Sequence, residues 1–130
     1  MPTRTLGYKE MLKTLVEYQI TFIERLAHEG YDKTFSLLLF PWPGGDEERL
    51  RELLLPLLRR SDRLFYIEEK IVALLPGTDW NGAMKVRETL EELLGPRPEK
   101  ECIVEYPADG SDAFELISRL YAQCDEIKAG

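Results

Sequence analysis

The stretch LLRRSDRLFYIEEKIVALLPGTDW, Leu57 to Trp80, decides how this 130-residue chain reads. Its "RLFY" and "IVALL" are short apolar runs of strand composition, and the few charged residues between them leave room only for a turn at "IEEK". That pattern predicts a β-hairpin. "PGTDW" then breaks the second strand and offers Thr78 or Asp79 as the cap of a helix. Ala83, Val86, Leu90, Leu93 and Leu94 recur there at helical spacing as the expected buried stripe, before Gly95 and Pro96 end it.

Upstream, "TFSLLLF" is a continuous apolar run closed by "PWPGG", too short for an independent helix, and predicts a buried strand. Between it and the hairpin, Asp46 can cap a helix with Glu47 and Glu48 in its first turn and Arg59 and Arg60 in its last. Pro56 removes a backbone donor inside that span, so the helix is expected to kink or loosen there. From Tyr8 to Glu29, Met11, Leu12, Leu15, Phe22, Ile23 and Leu26 mark an amphipathic helix stopped by Gly30. Downstream, "ECIVEYP" predicts a strand and "ADGSDAFELISRLYAQCDEIK" a closing helix. Asp112 and Glu115 have capping-box spacing, and Phe114, Ile117, Leu120, Tyr121 and Cys124 form its repeat.

The order is α, β, α, β, β, α, β, α, an α+β fold read as one domain over residues 1–130. Without its outer helices it is βαββαβ, the split pattern of a ferredoxin-like palm. That topology serves many unrelated activities, so it names none. A hydrophobic fraction of 44% beside 32% charged residues is ordinary for a globular protein. The apolar runs are too short to span a bilayer and no apolar leader opens the chain, so no membrane is expected and a cytoplasmic protein is. A net charge of −7, with basic residues scattered along the sequence, opposes nucleic acid as a partner.

Cys102 and Cys124 have neither CxxC spacing nor a neighbouring histidine and are expected as packed thiols. His28, in "RLAHEG", is expected to meet carbonyls at a helix end. The Glu68–Glu69 pair is expected as a solvated turn. Trp42, held between two prolines, has two readings: an indole covering a core edge, or an exposed anchor for a protein partner. Trp80, beside a helix cap, has the same two.

The segment RRSDRLFYIEEKIVALLPGTDWNGAMKVRETLEELL resembles the second half of the GGDEF domain of diguanylate cyclases. There an R-x-S-D-like segment leads into a strand, the GGDEF turn, a strand ending L-L-P-x-T-D, and a helix beginning G-A. The C-terminal "EYPADGSDAFELISRLYAQCDEIK" is similar to that family's last strand, its Y-P-x-D-G-x-D connection and its final helix. The resemblance implies a cyclase-like palm and a bacterial signalling setting. It also implies that the catalytic positions are replaced. Counted back from Pro76, the motif falls on Ile67, Glu68, Glu69, Lys70 and Ile71, with a residue missing just upstream. Pro41 takes the place of the aspartate ending the first strand. Two-metal phosphoryl chemistry needs a pair of held carboxylates, and of those positions only Glu69 keeps one.

The expectation is therefore no enzyme, no cofactor and no metal, but a degenerate GGDEF-like domain that binds another protein or itself. The alternative is a receptor for cyclic di-GMP through Arg59 and Asp62, which match the family's R-x-x-D product site. An arginine can stack on guanine or grip its acceptors, and an aspartate can accept from guanine donors. Against it stands a structural role for the same four residues, Arg59 and Arg60 at a helix end and Ser61 with Asp62 in a turn. Lys128 resembles a phosphate-contacting lysine of the family.

Overall fold

The computed structural model describes residues 9–26, 33–96 and 101–129. The elements are α1 (Lys9–Leu26), β1 (Phe35–Pro41), α2 (Glu47–Leu54), β2 (Arg63–Ile67), β3 (Lys70–Pro76), α3 (Trp80–Leu94), β4 (Cys102–Tyr106) and α4 (Ala113–Ala129). This is the order read from the sequence. The four strands form one antiparallel sheet in the order β2-β3-β1-β4. The apolar run of β1 lies in the sheet interior, between β3 and β4, and all seven of its residues are buried. A strand flanked on both sides and covered on both faces has no side on which a polar residue is favoured, which is why "FSLLLFP" shows no alternation.

Side chains alternate across the sheet and divide the interior in two. Phe35, Leu37 and Leu39 of β1 join α1 and α4 on one face, while Leu38 and Phe40 join α2 and α3 on the other. Phe35 stacks on its register partner Tyr106 with ring centroids 5.0 Å apart. Ser36, the only hydroxyl in β1, is buried but donates to the Thr78 carbonyl at 2.8 Å, so no polar group is stranded. Both cysteines are buried free thiols in the first core, Cys102 on β4 and Cys124 on α4. No described helix is long and apolar enough to cross a membrane.

Capping follows the sequence closely. Asp46 accepts from Glu48 N at 3.0 Å and Asp79 from Gly82 N at 2.8 Å, each satisfying an amide that the first helical turn leaves open. Asp112 accepts from Glu115 N at 2.8 Å, and Glu115 reaches back to Ser111 N at 2.9 Å, one residue before the cap itself.

Four expectations about helix faces are corrected. In α1 the buried face is Leu12, Val16, Ile20 and Ile23, and Met11 and Phe22 are exposed, because the sheet selects one of two apolar stripes that the sequence offers. Helix α2 stops at Leu54 and passes into a 3₁₀ turn, Leu55–Leu57, containing Pro56. Arg59 and Arg60 therefore do not occupy a helical last turn. In α3, Leu93 is exposed while Arg87 is buried, its guanidinium 5.5 Å from the Phe40 ring centroid and 3.5 Å from the Glu91 carboxylate. In α4, Phe114 is exposed and Leu116 is buried in its stead. His28 lies outside the described residues, as does the side chain of Lys128.

Candidate functional site

The β2–β3 hairpin closes with Ile67 paired to Lys70, leaving Glu68 and Glu69 as a two-residue loop. Their φ angles are 52° and 64°. Two positive φ values are the type I′ geometry, which suits the right-handed twist of the flanking strands and ordinarily selects Asn and Gly. Here two glutamates occupy it, exposed and without the clearance that glycine would leave above the turn. The tip is held from outside, since Trp42 N donates to the Glu69 carbonyl at 2.9 Å.

Beside the tip lies the end of β1. In the antiparallel register Pro41 faces Lys70, and Phe40 faces Ile71. A proline without a side-chain donor and an ammonium thus stand opposite one another where the resembled family sets metal-binding acids. These side chains do not fit a two-metal site: one supplies no carboxylate and the other repels a cation. Among the described residues, no group of three or more His, Cys, Asp or Glu side chains is placed to hold a metal ion.

The "PWPGG" loop folds back over this end of the sheet. Trp42 is half-buried against the second core, its ring edge-on to Tyr66 at 5.9 Å. The Tyr66 hydroxyl donates to the Trp42 carbonyl at 2.7 Å and accepts from Gly45 N at 3.2 Å, which ties the loop to β2. Burial chiefly raises the Tyr66 pKa, Glu69 and Glu47 adding to it and the Gly45 amide opposing. Gly45 is required by close approach, since a Cβ there would lie 2.3 Å from the indole. Much of the Trp42 ring is therefore spent on contacts within the chain. Trp80 remains partly exposed at the start of α3, with its amide donating to the Glu105 carboxylate at 2.7 Å.

On the far side of the hairpin, Arg59 and Asp62 meet. Asp62 Oδ2 accepts from Arg59 N at 2.9 Å, and Oδ1 lies 3.1 Å from Arg59 Nη2. The same guanidinium donates to the Pro76 carbonyl at 2.5 Å and to Thr78 Oγ1 at 2.8 Å, so it clasps the end of β3 rather than a helix terminus. The Asp62 side chain is only 6% exposed, that of Arg59 55%. Asp62 thus closes the turn as the structural reading expects, whereas the proposed helix-end role of Arg59 gives way to this clasp. Both oxygens of the carboxylate are already engaged by arginine, which leaves guanine donors little to recruit.

Around the clasp the chain brings four cations together. Arg51, Arg59, Arg60 and Arg63, with Leu55, Leu58 and Leu64, line a hollow of about 360 Å³ whose only carboxylate among the described residues is Asp62. An adjoining, more apolar hollow of about 160 Å³ shares Leu58, Asp62 and Leu64 with it and is completed by residues including Leu57, Val86 and Leu90. Along the sequence the basic residues are scattered rather than gathered into a long run, a pattern compatible with a local basic pocket. The break at Pro56 and the turn at Asp62 gather four of them, and "RLRELLLPLLRRSDR" carried that signal only as five arginines close to one helix breaker.

No protein-family model and no curated protein matches this sequence. Among solved structures, the chain is similar to a sensory box/GGDEF family protein from Caulobacter crescentus CB15. The TM-score is 0.65 at 14% identity, over 93% of this chain and 92% of that one. The shared fold is a GGDEF-like α+β arrangement.

Proposed function

We propose that this chain is a catalytically silent, degenerate GGDEF-like domain that works by binding a protein in a bacterial signalling or regulatory pathway. The observation that carries the reading is the pairing of Pro41 with Lys70. The strand order β2-β3-β1-β4 supports a ferredoxin-like palm, and in such a palm the end of β1 and the adjacent hairpin are where a cyclase would hold its metals. With a proline and a lysine facing each other there, the frame persists without the carboxylates that phosphoryl transfer needs. The domain is expected in the cytoplasm and without a cofactor. Incubation with GTP and Mg²⁺ or Mn²⁺, followed by chromatography, should yield no dinucleotide. Any cyclic di-GMP above a no-protein control overturns the reading.

The four-arginine hollow favours one second reading, a receptor for cyclic di-GMP through Arg59 and Asp62. Arginines can meet both the phosphates and the guanine acceptors of such a ligand. The engaged state of Asp62 speaks against it, because binding would have to break the clasp first. Calorimetric titration decides between them. Micromolar binding abolished by Arg59→Ala establishes the receptor, and silence at high ligand concentration removes it.

A further inference from the structure

We infer that the two adjoining hollows form one groove, between the Pro56-terminated end of α2 and the outer stripe of α3, that docks an acidic amphipathic helix of a partner protein. The inference rests on the proposal that the domain works by binding a protein, and names where and what chemistry. The groove exists because α2 ends at Leu54. A helix continued through Pro56 would carry its apolar residues along α2, but the 3₁₀ turn instead displays Leu55 and Leu57, each 53% exposed. On the opposite wall the half-buried Val86 and the buried Leu90 line the apolar hollow, and the exposed Leu93 follows them along the same stripe of α3. Leu55, Leu57 and Leu93 are large aliphatic side chains left in water, and exposed apolar surface of this kind marks interaction sites.

Size and charge select the occupant. The apolar hollow, about 160 Å³, suits a single inserted apolar side chain, and the adjoining arginine-lined hollow of about 360 Å³ has room for the acidic side chains beside it. The rim beside it bears Arg51, Arg59, Arg60 and Arg63 against one carboxylate, Asp62, which Arg59 already neutralises. On a chain of net charge −7 that concentration of positive charge is local and one-sided. A helix with apolar anchors at i and i+4 and acidic residues alongside complements both features at once. A second copy of this acidic chain meets the arginines only where its own Asp and Glu residues outnumber its cations, and long-range repulsion between copies opposes it.

The probe is a random peptide display library panned on the full chain, with Leu57→Asp as counter-selection. Expected winners carry Leu, Ile or Phe at i and i+4 flanked by Asp or Glu. Their affinity should fall at least about tenfold on Leu57→Asp, on Arg60→Glu and on raising salt. Leu57 and Arg60 are exposed, so both variants should keep the parent circular dichroism and melting point, which confirms that lost binding is local. Winners that are basic, lack a pattern, or bind both variants unchanged overturn the inference. So does self-association by sedimentation that Leu57→Asp abolishes, which would assign the groove to a second copy. A positive GTP assay would instead overturn the silent-domain reading while leaving the peptide result standing.

Discussion

Replacing Glu68-Glu69 by Asn-Gly should make the domain more stable. Both residues adopt positive φ, 52° and 64°, in a two-residue loop fixed by the Ile67–Lys70 pair. For an L-residue with a Cβ the left-handed region costs about 1–2 kcal/mol, which asparagine partly and glycine wholly escapes. Against that gain stands the greater freedom that glycine brings to the unfolded chain, about 0.4–1 kcal/mol. The net expectation is roughly 1 kcal/mol of stabilisation, which for a chain of this length raises the melting point by about 4 °C. Urea unfolding followed by circular dichroism should show a higher midpoint at an unchanged slope. The converse variant, Glu69→Val, places a β-branched side chain at φ 64° and should lower stability by at least about 1 kcal/mol. Equal midpoints for parent and Asn-Gly, or a Glu69→Val chain as stable as the parent, would refute the assignment of backbone strain to this turn. On the proposed silent reading, the stabilised variant should form no dinucleotide from GTP, since glycine clearance restores no side-chain carboxylate at Pro41 and Lys70.

Gly45→Ala should push the indole of Trp42 off its seat, at a cost of about 1–3 kcal/mol for overpacking, visible as a shift in tryptophan emission in a Trp80→Phe background. Tyr66→Phe removes the hydroxyl shared by the Trp42 carbonyl and Gly45 N, and should cost about 1 kcal/mol in urea unfolding. Asp79→Ala strips the α3 cap from Gly82 N, with an expected loss of about 1 kcal/mol. Burial pushes the Tyr121 phenol up to about 12, with Glu68 and Cys124 adding to it, from an ordinary value of 10.0. A pKa raised on folding means that the unfolded chain releases this proton first. Stability from this group is therefore complete below pH 10 and lost toward pH 12, and Tyr121→Phe should flatten the decline measured by unfolding over that window.

Much of the architecture is written in local signals. The short apolar runs of the hairpin, the continuous apolar β1 and the caps at Asp46, Asp79 and Asp112 act over a few residues, and each element they announce is present. Pro56 announced a break in α2 for the same reason, a missing donor being a local fact. Helix faces were less legible. Met11 or Leu12, Phe114 or Leu116, can each begin an apolar stripe, and only the position of the sheet decides which one is buried.

The site divides along the same line. The amino-acid sequence alone determined that the hairpin centre carries Glu68 and Glu69 in place of glycines and that Lys70 follows them, because identity at a position needs no partner to be read. That Pro41 stands opposite Lys70 depends on the register between β1 and β3, which closes over a long intervening chain. That Arg59 clasps Pro76 and Thr78, and that four arginines surround one hollow, depends on where the chain turns after α2. Charge acts through space, so residues separated along the chain become one field only after the tertiary structure has brought them together.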